Sequence, residues 1–250
     1  MTTEPNIAQP VYPAAGQRVL LVGIGPGDPE YVTARAVHAI AAADIVAGFA
    51  TALAVVDSWI RGKRLVLTYR NQEEQLAELA RAHISGKRCV VCCYGDLTFS
   101  AQELIARVER HCGATDRIPG ISSVQVACAR AALAMEETLF ITLHAREDIT
   151  SAQEELLAAA RSGKRHLIVL PQPWSFMPPQ IAAWLVKEGI PGDRPVLVYQ
   201  RLTLPGETTT QTTLGELAQW HEPFSDLSIV ILPRPGFLPS ADDHDGGRRV

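Results

Sequence analysis

No stretch of the 250-residue chain is continuously apolar for anything near the roughly 20 residues a membrane-spanning helix needs. The polar, proline-containing start also lacks the basic and apolar regions of a secretory signal, so the expectation is a cytoplasmic protein without a membrane partner. Positive charge is not in excess: 23 Lys and Arg stand against 27 Asp and Glu, for a net charge of −4. That leaves no general basic field for nucleic acid, and any anion must be met by a local group of arginines. Cysteine is scarce and odd in number, with Cys89, Cys92, Cys93, Cys112 and Cys128 lacking the paired spacing of metal ligands. They are expected to be buried thiols, and no metal is expected. Hydrophobic residues make up 47% of the chain, enough to bury a full core in one large domain or two small ones.

The informative stretch is 89–99, Cys-Val-Val-Cys-Cys-Tyr-Gly-Asp-Leu-Thr-Phe. Five apolar residues in a row predict a central parallel strand, and Tyr94-Gly95-Asp96 then falls at its carboxyl end, where open α/β sheets bind ligands. Before it the pattern predicts strands at 19–22, 45–47 and 65–67. They alternate with helices at 33–43, capped by Thr33, at 51–60, and from Asn71 with Glu74 to about residue 84. Ser100 with Glu103 predicts a further capped helix to about residue 112. Alternation without hairpin signals implies a parallel sheet covered on both faces.

A domain boundary is expected at 116–120, where Pro119 cannot continue a sheet ladder and Gly120 frees the turn. Beyond it helices are predicted at 122–134, 150–161 and 178–188, and strands at 139–143, 167–170, 196–199 and 228–232. The run 208–213 holds only threonine and glutamine and reads as an edge or hairpin strand, so the second sheet should be mixed. The expected layout is a tail at 1–17, an N-terminal α/β domain at 18–118, a C-terminal α/β domain at 119–236 and a tail at 237–250.

After the first strand comes Gly23-Ile24-Gly25-Pro26-Gly27-Asp28-Pro29. A pyrophosphate cradle needs successive backbone N–H groups and a helix start close behind, whereas Pro26 and Pro29 each remove a donor. The loop fits the close approach of another group to the backbone better than it fits a nucleotide phosphate.

Taken together, residues 22–33, Ala-Asp-Ile-Val-Ala-Gly at 43–48, Tyr-Gly-Asp at 94–96, Pro-Gly-Ile-Ser-Ser-Val-Gln at 119–125 and Thr-Leu-His-Ala-Arg at 142–146 resemble the tetrapyrrole (corrin/porphyrin) methyltransferases. Within that family the later elements look most like the branch that methylates C5 of a precorrin in cobalamin biosynthesis, of the cobalt-precorrin-7 or precorrin-6B type. The resemblance spans about residues 18–236. It implies a two-domain α/β enzyme, a homodimer, that binds S-adenosylmethionine between its domains. By motif, Pro26, Tyr94, Gly95, Asp96, Phe99, Ser122 and Ser123 would line the cofactor pocket. Relatives of this branch are often fused to an enzyme that methylates C15 and removes a carboxyl group, so a separate polypeptide of that kind is an expected partner. Four positions depart from the family pattern: Tyr94 and Leu97 flank Gly95-Asp96 where serine and proline are usual, Ala145 replaces a glycine, and Gln200 stands where glutamate is common.

Methyl transfer from a sulfonium is a displacement with the leaving group already activated, so the protein mainly positions the nucleophile and excludes water. Asp96 suits hydrogen bonds to the cofactor or, alternatively, capping of the loop before Ser100. Ser122 and Ser123 suit either a carboxylate or a plain helix cap. Arg146 suits bidentate pairing with a substrate carboxylate, or a surface ion pair; Arg201 is a second such clamp. His144 is the candidate catalytic residue, since imidazole exchanges protons near neutral pH, with a structural role as the alternative. Rival readings are another precorrin carbon, uroporphyrinogen III, the macromolecular substrates of related methylases, and a non-catalytic ligand-binding relative.

Overall fold

The computed structural model describes residues 18–99, 101–144 and 148–237, and the chain divides after Ser122 into two units. The expected tails lie outside the described residues except for Phe237.

The first unit runs β1 (Val19–Gly23), α1 (Ala34–Ala42), β2 (Ile45–Phe49), α2 (Ala50–Val56), β3 (Lys63–Leu67), α3 (Gln72–Ile84), β4 (Cys89–Cys93), α4 (Gln102–Cys112) and β5 (Thr115–Ile118). All five strands are parallel, in the order β3-β2-β4-β1-β5. The chain moves outward from β1 to β3 and then returns to β4 and β5. Right-handed crossovers therefore force the helices to change face halfway. On one side Leu20, Val22, Val90 and Cys92 pack against α1 and α2; on the other Val19, Leu21, Cys89, Val91 and Cys93 pack against α3 and α4. β4 is buried on both faces at the centre of the sheet, which is why it reads as an unbroken apolar run. Burial pushes the Cys89 and Cys93 thiols up to about 12 and those of Cys112 and Cys128 to about 11, so none is a ready nucleophile.

Thr33 caps α1 as its sequence suggests, accepting from the Ala36 N–H at 3.2 Å. Asn71 behaves differently: its Oδ1 accepts from the Thr68 N–H at 2.7 Å and its Nδ2 donates to Val66 O at 3.1 Å. The side chain shapes the turn into α3 and makes no cap bond. The Ser100 cap lies outside the described residues, and α4 starts after Ala101. Residues 116–118, the first part of the segment 116–120 expected to be a boundary, belong to β5, which pairs with β1 from Val19↔Thr115 to Val22↔Ile118.

The second unit runs α5 (Ser123–Arg130), β6 (Thr138–Thr142), α6 (Thr150–Ser162), β7 (His166–Leu170), α7 (Pro178–Lys187), β8 (Pro195–Gln200), β9 (Thr208–Thr213), α8 (Leu214–Leu217) and β10 (Ser228–Leu232). Its sheet is mixed, in the order β6-β7-β10-β8-β9: β6 and β7 are parallel and the other pairs antiparallel. The threonine-rich β9 is an edge strand. α5 stops at Arg130, short of the expected residue 134. Ala132 takes φ +53, its N–H donates to Ala129 O at 3.3 Å, and Leu133 N–H reaches back to Cys128 O at 2.9 Å. That pair of bonds is a Schellman ending, here with alanine in the position glycine usually fills.

His166, 1% exposed, accepts the Arg234 N–H on Nδ1 at 3.2 Å and meets the Phe237 ring edge-on at 4.5 Å. Burial, with the nearby Arg234 guanidinium, holds its pKa below the ordinary 6.5 against the opposing pull of Glu137. The unfolded chain therefore binds this proton more readily, and the stabilisation is present above about pH 6.5 and lost as pH falls below it. The protection of the Arg234 amide, its slowing relative to the intrinsic exchange rate, should fall as pH drops from 7 to 5. Replacing His166 with asparagine should remove that dependence in a hydrogen-exchange series.

Candidate functional site

Because β4, β1 and β5 are neighbours running the same way, their carboxyl ends lie side by side, and so do the turns at 23–28, 94–99 and 119–122. The turns are joined through their backbones. Gly95 N–H donates to Gly25 O at 2.8 Å, Gly25 N–H donates to Gly95 O at 3.2 Å, and Ile24 N–H donates to Cys93 O at 3.0 Å. A Cβ on Gly23 would lie 2.6 Å from Gly120 N, and one on Gly120 would lie 2.7 Å from Gly23 C and nearer still to Gly95 O. No side chain fits at either position.

Asp96 fastens the second turn to the third. It is 7% exposed; Oδ1 accepts from the Thr98 N–H at 2.8 Å and from the Thr98 hydroxyl, and Oδ2 accepts from the Gly120 N–H at 2.8 Å. Desolvation alone would raise its pKa, but these bonds outweigh it and hold the carboxyl below the ordinary 3.8. Tyr94 fastens the second turn to the first, its hydroxyl donating to the Pro26 carbonyl. Asp28 accepts from the Glu30 N–H at 2.9 Å and caps the short 3₁₀ turn Pro29–Tyr31, which accounts for the Asp-Pro pair. Phe99 N–H returns to Asp96 O at 3.3 Å. Ser122 is buried two residues beyond Gly120, and Ser123 opens α5.

Gly95 has φ +69 and nothing within 4 Å of where a Cβ would stand, so its backbone is open to approach on that side.

The family model for the tetrapyrrole (corrin/porphyrin) methylases matches residues 18–218. This chain belongs to the tetrapyrrole methylases. A probable cobalt-precorrin-7 C(5)-methyltransferase of Methanocaldococcus jannaschii is 30% identical over 218 residues, covering 85% of this chain and 96% of that one. Among solved structures, a precorrin-6Y methylase from Archaeoglobus fulgidus covers 87% of this chain and 98% of its own at 23% identity and TM-score 0.62. A uroporphyrin-III C-methyl transferase from Thermus thermophilus, complexed with S-adenyl homocysteine, covers 87% and 92% at 22% identity and TM-score 0.67. Siroheme synthases also match, and this methylase spans about half their length, 45% for the one from Gluconobacter oxydans.

In the second unit of the methylase the carboxyl ends of β6, β7 and β8 share one edge of the sheet. His144 is exposed there, its N–H donating to Thr142 Oγ1 at 3.2 Å. Arg146 and Ala145 lie outside the described residues. Arg201, exposed with φ +52, anchors its N–H on Leu227 O at 2.9 Å and its Nε on Pro205 O at 3.0 Å. Besides Tyr94, two departures from the family pattern have structural employment. Gln200 accepts from Ser225 N–H at 2.8 Å and donates to Thr208 Oγ1 at 3.1 Å, tying three chain segments, while Leu97 fills the core under α3 and α4.

Sequence reasoning did not single out Thr98, which supplies two of the bonds Asp96 accepts. An Asp-x-Thr spacing, which permits an Asx turn, was the available signal. The contact of Gly23 with Gly120 has no local signal, because it joins residues almost a hundred positions apart.

Proposed function

We propose that the chain transfers a methyl group from S-adenosylmethionine to C5 of a precorrin, of the cobalt-precorrin-7 or precorrin-6B type, in cobalamin biosynthesis. The observation that carries this reading is the match to the probable C(5)-methyltransferase over 96% of that protein's length. The Thermus relative complexed with S-adenyl homocysteine supports the cofactor, as does a turn cluster with backbone approach at Gly95 and no phosphate cradle.

The cofactor supplies, when bound, a methyl carbon already activated for displacement. The chain's own residues do the rest. Pro26, Tyr94, Gly95 and Phe99 form the floor and walls of the seat, Asp96 holds its turns in register and offers remaining lone-pair capacity to a hydroxyl or amino group, and Ser122 with Ser123 faces the carboxylate. Pre-set turns of this kind lower the cost of ordering the donor. In the second unit Arg146 and Arg201 pair with the carboxylate arms of the macrocycle, and His144 accepts the proton released when the new C–C bond forms. Dimerisation, a cytoplasmic location and a separate C15-methylating decarboxylase as partner belong to the same reading.

The likeness to the Thermus uroporphyrin-III C-methyl transferase favours uroporphyrinogen III as the second reading. Incubation of the purified protein with each defined tetrapyrrole and a carbon-13 methyl donor separates the two. The expected product gains one methyl, assigned to C5 by NMR. A methyl on uroporphyrinogen III, with none on a precorrin, would move the chain to the other substrate.

A further inference from the structure

Trp174 is the most exposed large apolar side chain among the described residues, at 89%. It also has a left-handed backbone, φ +66, which an L residue of this bulk adopts only under constraint. The constraint is visible. Gln172 and Phe176 form an isolated antiparallel bridge, with Phe176 N–H on Gln172 O at 3.1 Å, and Phe176 packs into the core with its ring 5.9 Å from that of Trp184 on α7. Trp174 thus stands at the tip of a short hairpin whose base is fixed. The fold holds a large ring out in water on a strained, rigid mount.

The position of the mount is informative. It follows the carboxyl end of β7, beside β6, where Leu143 N–H joins Leu170 O at 2.8 Å and His144 comes next. Arg201 and Thr203, with φ +52 and +68, follow β8 on the same edge, two strands from β7. At about 4.8 Å per strand, the ends of β6, β7 and β8 fall within roughly 15 Å. Of the four non-glycine residues with positive φ among the described residues, Trp174, Arg201 and Thr203 are three. Strained backbone concentrated along one edge marks a functional surface.

We infer that Trp174 is a stacking platform for the flat face of the acidic tetrapyrrole, with Arg201 on the same edge meeting its carboxylate arms. The inference rests on the proposed function and adds to it a residue that sets substrate affinity. An indole offers roughly 200 Å² of contact. That is far below the roughly 800 Å² per partner of a stable protein interface, but it suits one planar ring.

The test uses the full chain with uroporphyrin III, a stable carboxylated macrocycle, as the probe, titrated by its own fluorescence anisotropy, and with S-adenosylhomocysteine titrated by calorimetry. Trp174→Ala and Trp174→Gly should each weaken porphyrin binding about tenfold, and Trp174→Phe by less than about threefold, because base and ring stacking on aromatics is worth that much. S-adenosylhomocysteine affinity should hold in all three; the thermal midpoint should hold in the alanine and phenylalanine variants and hold or rise in the glycine variant, whose backbone is relieved. The glycine variant removes the ring while relieving the backbone, so wild-type affinity in it would overturn the platform. Unchanged porphyrin affinity in all three variants would do the same while leaving the proposed function standing, and a shift from dimer to monomer on sedimentation with that affinity unchanged would assign the ring to self-association instead. A wild-type chain that binds S-adenosylhomocysteine but no porphyrin or precorrin would sink the substrate reading and the platform with it.

Discussion

Gly120→Ala should lower the thermal midpoint by roughly 5–10 °C and abolish measurable S-adenosylmethionine binding. The new methyl group would sit 2.7 Å from Gly23 C and closer to Gly95 O, in space bounded by backbone on both sides. Neither neighbour is a flexible side-chain end that can swing away: Gly95 is bonded to Gly25 in both directions, and Gly23 is the last residue of the inner strand β1. Overpacking of this kind costs about 1–3 kcal/mol, and in a chain of this length each kcal/mol shifts the midpoint by roughly 2–4 °C. The loss of binding has a different origin. The only relief is for the third turn to retreat from the other two, and that retreat pulls the Gly120 N–H away from Asp96 and opens the cluster.

Gly113→Ala is the matched control. Gly113 has φ +77 with ψ −159, a backbone that only glycine adopts readily, and nothing within 4 Å of a Cβ, so the same substitution there meets backbone strain alone, on the order of 1–3 kcal/mol. Differential scanning fluorimetry and calorimetric titration of the two variants make the comparison. Equal binding loss in both would mean that contact between the three backbones is not what shapes the seat.

What the sequence revealed and what it hid follow from where each residue's partners lie. β4 is legible to the residue, since both of its faces are buried and no polar position interrupts the pattern. β5 is hidden because it is an edge strand of the sequence Thr-Asp-Arg-Ile, mostly half-exposed, whose membership depends on pairing with β1 nearly a hundred residues earlier. α5 seemed longer because its left-handed ending is built on alanine rather than glycine. At the site, the motif residues of the three turns were recognisable one by one. Their joining was not, because the bonds from Asp96 to Gly120 and from Tyr94 to Pro26 span 24 and 68 positions. Trp174 has no signal in the sequence, since a tryptophan before a helix reads as core, and only its exposure and backbone angle set it apart.

Asp96→Ala and Asp96→Asn should weaken S-adenosylmethionine binding to a similar degree, on the order of a hundredfold. A charge-assisted bond from a buried carboxylate contributes about 1.5–3 kcal/mol, and more than one is lost. The similarity is the discriminating part. Asp96 accepts on both oxygens, from Thr98 on one side and Gly120 on the other. Asparagine keeps one acceptor and turns an NH₂ group toward a donor N–H, so it cannot bridge the two turns. If Asp96 served only as an acceptor for a cofactor hydroxyl, the amide oxygen would retain part of the affinity and asparagine would bind clearly better than alanine. Thr98→Val, which removes the hydroxyl but keeps the backbone bond, should fall between wild type and the two Asp96 variants. The pH dependence follows the same bonds. Because the folded-state pKa lies below 3.8, the carboxylate's stabilisation is complete above that value and fades only as pH falls through the lower folded one. From pH 7 to 5, Asp96 should therefore contribute no change in affinity, and any fall in that range has to come from another group. Calorimetric binding by Asp96→Ala indistinguishable from wild type would show that the clamp between the second and third turns does not shape the cofactor seat.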